Sequence, residues 1–346
     1  MAGAGVDVMV ERVDSDNEAA ARRWFTAFEP AADDHRAVPT HMMFDDWYAA
    51  LHDPSWPGAV FWVRSRDDDV VGTMVAHTPA YDNRHVLDLG IRVPPEHRRH
   101  GIGAALLDVA QTYAVDHGRT TVLAEVVEPL ATAQGSSAGS RFAQAAGFGV
   151  GMVENHRIIE LPVSDERLQA LEDHAAARRN GYQLVEFGAR CPPEYVDRFC
   201  AAQSRFLHEA PLGDLDVEPE VWTPERLAEA EVRRVRQGRD SLSVLAIAPD
   251  GAVAGYTQLV VPPTDDGRVA QADTLVLPDH RGHRLGLAMK LRNLRRLQEH
   301  WPDRTYVGTW NAEGNAAMLA VNAALGATAR ERMIEYQRTD GQRATG

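Results

Sequence analysis

Cysteine and long apolar runs are both scarce in this chain of 346 residues. Its two cysteines, Cys191 and Cys200, are too few for a disulfide framework, and no histidine cluster joins them at zinc-ligand spacing. We therefore predict no metal site. No apolar stretch approaches the roughly 20 residues that cross a bilayer. The N-terminus lacks a charged segment followed by an apolar run, so we expect no signal peptide and a cytoplasmic location.

Basic charge is also in short supply. Lysine and arginine total 36 against 50 aspartates and glutamates, which gives a formal net charge of −14. This balance disfavours nucleic acid and anionic membranes as partners, because both attract basic surfaces. The remaining composition is globular, and the length suits two domains of about 160 residues. We expect a small-molecule partner, and a monomer and a homodimer both remain open.

One basic, glycine-bearing stretch occurs twice in the chain. Pro95–Gly103 (Pro-Glu-His-Arg-Arg-His-Gly-Ile-Gly) recurs as Pro278–Gly286 (Pro-Asp-His-Arg-Gly-His-Arg-Leu-Gly), 183 positions later. In each copy an extended apolar run precedes the stretch and an amphipathic helical pattern follows it. A turn of this kind can hold phosphate, because the free amides and the positive dipole end of the first helical turn face the anion. The repeat therefore indicates a tandem duplication and a phosphate-bearing cofactor.

The elements around the two copies follow the same order. Each half is predicted to begin with a strand and helices, continue with an antiparallel hairpin and the strand before the turn, and end with helices alternating with strands. We predict an α/β (α+β) fold of two tandem domains, each a mixed, mainly antiparallel sheet flanked by helices. The predicted boundaries are residues 1–162 for the first domain, 163–181 for a helical linker and 182–346 for the second domain.

Two nucleotide-binding alternatives fit this pattern less well. Hairpins rather than successive crossovers lead into each glycine turn, and no acidic residue ends the following strand in both copies, which disfavours a Rossmann domain. A P-loop enzyme would need a Gly-Lys-Ser/Thr turn, which the chain lacks.

The signature Arg98–Gly103 resembles the pyrophosphate-binding motif of the GNAT superfamily of acyl-CoA N-acyltransferases, and the resemblance covers both halves. It implies that acetyl-CoA is the cofactor and that an acetyl or other acyl group passes by direct attack to a primary amine of a small molecule. It leaves open whether one domain is non-catalytic. The second copy departs from the motif, because Arg284 stands where the first copy has Gly101. Its amides could still bind phosphate if Arg284 keeps a right-handed conformation.

The resemblance assigns cofactor-binding roles to two sets of residues. The strand before each turn would lend its backbone to the pantetheine arm: Ile91, Arg92 and Val93 in the first half, and Thr274, Leu275 and Val276 in the second. The two turns would hold the diphosphate through Arg98, Arg99, His100, Gly101, Ile102, Gly103, Ala104, and through Arg281, Gly282, His283, Arg284, Leu285, Gly286.

A second family motif is present only in part. Asn311 and Asn315 resemble the asparagines that help to anchor the cofactor, although both could simply cap a helix. In the family a tyrosine further along this helix often protonates the departing thiolate. Asn322 stands at that position here. In the first half, Ser136 stands at the position of Asn315 and Ala143 at that of Asn322.

Three carboxylates are candidates for the base that takes a proton from the amine. Asp88 and Asp273 each lie on the strand before the turn but not in the same register, and Glu125 lies on the following strand. Each could also be an ordinary strand-end carboxylate. The sequence favours an N-acetyltransferase, and the missing tyrosine leaves a catalytically silent acyl-CoA-binding or interaction protein as the alternative.

Overall fold

The helices and strands follow the apolar periodicity of the chain. A computed structural model describes residues 9–32, 43–65, 67–263 and 267–339. The elements of the first half are β1 (Val10–Arg12), α1 (Glu18–Ala32), α2 (Phe44–Leu51), β2 (Gly58–Arg64), β3 (Val70–His77), β4 (Val86–Arg92), α3 (Ile102–Asp116), β5 (Thr121–Pro129), α4 (Ala138–Ala145) and β6 (Gly149–Glu160).

The second half repeats this order with two additional helices, one before its first strand and a short one between its first and second strands. Its elements are α5 (Asp165–Ala176), β7 (Gln183–Phe187), α6 (Val196–Gln203), α7 (Phe206–Glu209), α8 (Pro224–Arg236), β8 (Asp240–Ile247), β9 (Val253–Val261), β10 (Arg268–Val276), α9 (Leu285–His300), β11 (Tyr306–Ala312), α10 (Ala316–Ala324) and β12 (Thr328–Thr339). None of the helices in the described ranges is both long enough and apolar enough to cross a membrane.

The chain divides into two compact units whose boundaries depart from the predicted 1–162, 163–181 and 182–346. Unit 1 comprises Met1–Val153, Gly213–Val217 and Glu331–Gly346, and unit 2 comprises Glu154–Leu212 and Glu218–Arg330. The halves exchange their last strands: β12 pairs antiparallel with β5 of the first half, and β6 pairs antiparallel with β11 of the second. A terminal strand pairs with whichever edge is available, and sequence separation does not decide that choice.

In unit 1 the strand order is β1-β2-β3-β4-β5-β12. The pairs are antiparallel except β4 with β5, whose short parallel ladder ends where Asp88 pairs with Leu123. Leu87 and Leu89 of β4 lie in the apolar cluster that contains Leu106 of α3. A second cluster joins the sheet to α1 and α2, and it includes Trp24, Trp47 and Trp62. This packing leaves the start of α3 next to the end of β4.

In unit 2 the strand order is β6-β11-β10-β9-β8-β7. The parallel pair is β10 with β11, and its ladder ends where Ala270 pairs with Gly308. One cluster joins the sheet to α9, and another joins it to α6 and α8. The two units therefore share one arrangement: a central parallel pair, an antiparallel sheet around it, and helices on both faces.

The segment predicted as a linker is helical, as expected, but it belongs to unit 2. In α5, Leu168 and Ala175 are buried in the cluster that contains the apolar face of α9. Arg295 of α9 donates hydrogen bonds to Glu172 and Asp165 of α5. Buried leucine and paired charges explain why the helix packs on unit 2 instead of standing between two domains.

Candidate active site

The two repeated stretches form the same backbone corner. We call Pro95–Ala104 corner 1 and Pro278–Leu287 corner 2. Each begins with a single 3-10 turn. Left-handed residues follow in each, Arg99 (φ 66°) and Gly101 (φ 85°) in corner 1 and Gly282 (φ 84°) and Arg284 (φ 55°) in corner 2. Glycine and arginine thus exchange places between two left-handed positions.

The right-handed conformation considered for Arg284 is therefore wrong. The residue before the first helical turn is left-handed in both corners, because the chain must reverse there to enter the helix. Arginine adopts this conformation at a cost of roughly 1–2 kcal/mol. Arg99 shows that the other corner tolerates an arginine in the left-handed region as well.

The backbone amides of both corners are available to a ligand. The first helical bonds run from Ala105 N to Gly101 O and from Ala288 N to Arg284 O. Within the described ranges, no protein atom accepts a hydrogen bond from the amides that come before these two. They are the amides of Arg99 to Ala104 in corner 1 and of Gly282 to Leu287 in corner 2. Successive amides around left-handed residues at a helix N-terminus make an anion-binding concavity. Both corners therefore have the geometry expected for a diphosphate site.

The first arginine of each signature ties the corner to the strand that precedes it. Arg98 Nε donates to the Val93 carbonyl at 3.0 Å, and Arg281 Nε donates to the Val276 carbonyl at 3.2 Å. The same bond in both copies shows that this arginine fixes the turn. The sequence assigned these side chains directly to the phosphates and could not show this positioning role.

The two corners differ in how their side chains are held. In corner 2, Arg281 Nη2 donates to Glu209 of α7 at 2.8 Å, His283 Nδ1 hydrogen-bonds to the Arg178 carbonyl at 3.1 Å, and Arg284 donates to the His174 carbonyl. In corner 1, His100 Nδ1 lies 3.3 Å from the His97 carbonyl of the same turn. Corner 2 is thus anchored by α5 and α7, while its amides stay open.

The strands before the corners leave their parallel partners where the pantetheine arm is predicted to lie. The ladders end at Asp88–Leu123 and at Ala270–Gly308. The predicted residues, Ile91 to Val93 and Thr274 to Val276, follow these points. On their other side they remain in register with the neighbouring strand, as Ile91 with Met74 and Thr274 with Thr257 show. An opening therefore separates the central strands in each unit.

A β-bulge distinguishes the two central strands. The register of β10 with β9 shifts between Gln271 and Thr274, whereas β4 and β3 stay in regular register from Asp88 to Arg92. The Gln271 side chain holds the bulge by donating to the Gln258 carbonyl at 2.7 Å. By cross-strand register Asp88 corresponds to Ala270 of β10, so Asp88 and Asp273 are not equivalent positions. Asp273 lies in the bulge beyond the ladder, and Asp88 lies in the last parallel pair.

Asp273 is placed as a carboxylate with raised basicity. Tyr256 Oη lies 3.5 Å from its Oδ2. Burial raises the pKa of Asp273 to about 6, and Glu220 acts in the same direction, while Tyr256 and Arg234 oppose the rise. A carboxylate of this kind is ionised at neutral pH yet basic enough to accept a proton from an amine. Its environment comes from β9, α8 and the segment before α8, which the sequence could not bring together.

Unit 1 brings the other two predicted carboxylates close together. Burial raises the pKa of Asp88 to about 7, and Glu125 on β5 adds to the rise. Asp88 pairs across the sheet with His77, whose pKa burial lowers. On the next strand Glu335 lies directly opposite Glu125. Asp88 therefore belongs to an acidic cluster in unit 1, whereas Asp273 in unit 2 is a half-buried carboxylate beside Tyr256.

The two predicted asparagines have different surroundings. Asn315 Oδ1 accepts from the Met318 amide at 3.2 Å and caps α10. Asn311 Oδ1 accepts from Asn322 Nδ2 at 2.6 Å, and Asn322 Oδ1 accepts from Lys290 Nζ at 2.9 Å. Sequence reasoning missed Lys290. The available signal was its place among the leucines of α9, where the first half has Leu107.

In the part of the chain that the structure describes, no three His, Cys, Asp or Glu side chains are grouped so that they could bind a metal ion. Cys191 and Cys200 are free and buried. Burial raises the pKa of Cys191 to about 12 and that of Cys200 to about 11, so both thiols are unreactive at neutral pH.

The family and structural comparisons agree with this geometry. Residues 18–135 match the model of the acetyltransferase (GNAT) family. A tandem GNAT protein from the clavulanic acid biosynthesis pathway is 29% identical, with a TM-score of 0.76 over 97% of this chain and 99% of its own. A GCN5-related N-acetyltransferase from Sphaerobacter thermophilus shares the fold at 15% identity, with a TM-score of 0.64 over 97% of both chains. Comparison with curated proteins finds no match.

The chain therefore has the fold of a tandem GNAT-family acyl-CoA N-acyltransferase, as the repeated motif predicted. The family match and the tandem relative support acyl transfer as its general chemistry.

Proposed function

We propose that this protein transfers an acetyl group from acetyl-CoA to a primary amine of a small molecule, and that unit 2 performs the reaction. Three features of unit 2 together carry the proposal. The amides of corner 2 have no protein acceptor, and the parallel pair of β10 and β11 separates before the corner. Asp273, a carboxylate with a raised pKa, lies in the bulge of β10. Unit 1 has the corner and the opening, but its β4 is regular. It is proposed to bind the cofactor without catalysing transfer.

The residues present fit a diphosphate-bearing cofactor. The amides from Gly282 to Leu287 would bind the diphosphate, and the backbone of Thr274 to Val276 would bind the pantetheine arm. When bound, the cofactor supplies an acyl group activated as a thioester. Arg281 would hold the backbone of the corner in place through its hydrogen bond to the Val276 carbonyl. Asp273 would take the proton from the incoming ammonium. Asp273 is half-buried beside Tyr256, and this partial burial raises its pKa and so its basicity.

Paired variants of the two corners provide the test. Arg98→Glu and Arg281→Glu each break the tie to the strand and place a negative charge beside the open amides. Each is expected to weaken coenzyme A binding in its own unit about tenfold or more, because charge-assisted bonds contribute about 1.5–3 kcal/mol. Titration calorimetry with coenzyme A measures the loss, and each variant serves as the control for the other corner.

Thiol release from acetyl-CoA, followed with a panel of small amines, tests the reaction itself. We expect release with at least one amine and none without amine. Unchanged coenzyme A binding in both corner variants would contradict the cofactor assignment. Binding without thiol release from any amine would instead favour the silent acyl-CoA-binding protein, which the absence of a tyrosine at Asn322 and Ala143 supports.

A further inference from the structure

A chain of polar side chains runs through the core of unit 2. Lys290 is 3% exposed and Asn322 is fully buried. Lys290 Nζ donates to Asn322 Oδ1 at 2.9 Å, and Asn322 Nδ2 donates to Asn311 Oδ1 at 2.6 Å. Every bond in this chain points the same way. The last donor of the chain is therefore the Asn311 side-chain amide.

Unit 1 fills the same three positions with apolar residues. Leu107 occupies the place of Lys290 in the helix after the corner, and Ala143 takes that of Asn322. Val126 corresponds to Asn311, because each lies three residues beyond the end of its parallel ladder. Leu107 and Ala143 are buried in the unit 1 core, with Val126 packed against it. The fold therefore does not require the polar chain, and burying an amine is costly.

The polar chain connects the helix of corner 2 to the opening between β10 and β11. Lys290 lies in α9, which starts at the corner. Asn322 lies in α10, and Asn311 lies in β11 beyond Gly308, the last residue paired with β10. Its end is thus at the strand that borders the proposed path of the pantetheine arm. Costly buried groups of this kind are concentrated at functional sites.

No charged neighbour compensates Lys290. Burial is the cause that lowers the pKa of Lys290, to about 7, and no charge contributes to the shift. Helix α10 has no ionisable side chain, and β9 has only Tyr256. The ionisable side chains of the other elements packed on α9 are Asp240 of β8, Arg268 and Asp273 of β10, and Asp165, Glu166, Arg167, Glu172, Asp173 and His174 of α5.

The neighbouring groups that carry charge have other partners. Asp273 faces Tyr256, Glu172 and Asp165 bind Arg295, and Arg167 donates to the Ala324 carbonyl. Lys290 therefore changes charge near neutral pH under the control of its own burial.

We propose that Lys290 is a positioning residue for acyl transfer in unit 2, where it acts through Asn322 to orient and polarise the Asn311 amide toward the departing thiolate. This inference rests on the proposed function. In the reaction the amine nitrogen forms a bond to the thioester carbon, the carbon–sulfur bond breaks, and sulfur keeps the electron pair. Asp273 first passes the ammonium proton to water, and the amine then attacks as the free base. The second proton, which the nitrogen loses as the amide forms, passes to Asp273. The Asn311 N–H group donates a hydrogen bond to sulfur, and Lys290 retains its proton throughout.

Protonated Lys290 polarises the chain, and neutral Lys290 does not. Activity should therefore fall as pH rises through about 7, the pKa of Lys290. Lys290→Met removes the charge and shortens the unbranched side chain by one atom. We expect kcat for thiol release to fall roughly 10- to 100-fold, somewhat less than the loss of a direct oxyanion donor, with KM for acetyl-CoA nearly unchanged. The loss of activity near pH 7 should disappear.

Two further variants separate this role from a structural one. Asn322→Asp keeps a partner for the Lys290 amine but removes the N–H group that donates to Asn311, so kcat should fall as in Lys290→Met and the loss of activity near pH 7 should disappear. Leu107→Met makes a matched change in unit 1 and should leave kcat and the pH profile unchanged. Thermal unfolding checks that each variant folds, and Lys290→Met should melt at a higher temperature than wild type, because a buried amine is gone.

The outcomes distinguish this inference from the proposed function. If wild type releases no thiol with any amine, both fail. If wild type is active and Lys290→Met keeps its kcat and its loss of activity near pH 7, only the role of Lys290 is refuted. A change confined to KM would also refute it, because the residue would then act in binding. A lower kcat and the absence of the pH limit near 7 in both Lys290→Met and Asn322→Asp would support it.

Discussion

Asp273→Asn is expected to lower kcat/KM for thiol release by roughly 10²- to 10³-fold, the usual contribution of a general base. Asparagine keeps the shape and the contact with Tyr256 but cannot accept a proton. The matched change Asp88→Asn in unit 1 should leave the rate within about twofold, because β4 has no bulge and Asp88 lies within the parallel pair. Steady-state kinetics with the same amine measures both variants.

The pH profile gives a second measurement of the same assignment. Wild-type kcat/KM should rise with pH through about 6, because Asp273 must be ionised to act as the base. Asp273→Asn should lose this dependence. Since burial raises the pKa of Asp273, its charge destabilises the folded state above about pH 6, and this penalty is absent at acidic pH, below the unfolded pKa of 3.8. The variant should therefore be more stable than wild type at neutral pH.

Loss of activity in Asp88→Asn with full activity in Asp273→Asn would place catalysis in unit 1. The acidic cluster of Asp88 and Glu125 would then be the acceptor site, and the proposed assignment of units would be reversed.

Glu128→Ala is expected to destabilise unit 1 by about 3 kcal/mol or more, because three hydrogen-bond donors lose their acceptor at about 1–3 kcal/mol each. Glu128 is fully buried. Its carboxylate accepts from the Gly135 amide at 2.9 Å, the Ser137 amide at 3.0 Å and Ser140 Oγ at 2.6 Å. Alanine leaves these donors without their acceptor at the start of α4. Denaturant unfolding measures the loss.

Glu313 provides a matched control in unit 2. Glu128 and Glu313 each lie five residues past the end of their parallel ladder, but Glu313 is exposed and accepts from Asn155 at 3.0 Å. Glu313→Ala should cost less than about 1 kcal/mol, as is usual for an exposed partner. Equal losses in the two variants would show that the loop before α4 does not depend on the Glu128 carboxylate.

The effect of Glu128 should also depend on pH. Burial raises the pKa of Glu128, but its hydrogen bonds from Ser140, Ser137 and Gly135 outweigh burial and hold the pKa below the ordinary 4.5. Its stabilisation is therefore complete above pH 4.5 and is lost as pH falls through the lower folded pKa. The difference between wild type and Glu128→Ala should narrow in acid.

The local elements of each half could be predicted from the sequence alone. The strands and helices of each half occur in the predicted order, because apolar spacing reports burial along a single segment. The turn signature identified both corners, since glycine, arginine and a helix start lie within a few residues of one another. The duplication supports this identification, because two copies with the same order of elements rarely arise by chance.

Tertiary structure alone decided the features that depend on distant partners. An alternating pattern cannot show that β6 pairs with β11 and β12 with β5, because any exposed edge satisfies the backbone of a strand. The bulge of β10, the left-handed Arg284 and the buried environment of Asp273 likewise come from neighbours far away in the chain. Lys290 is the clearest case: a lysine in a helix predicts a solvated side chain, and only packing by α10 and the sheet buries its amine.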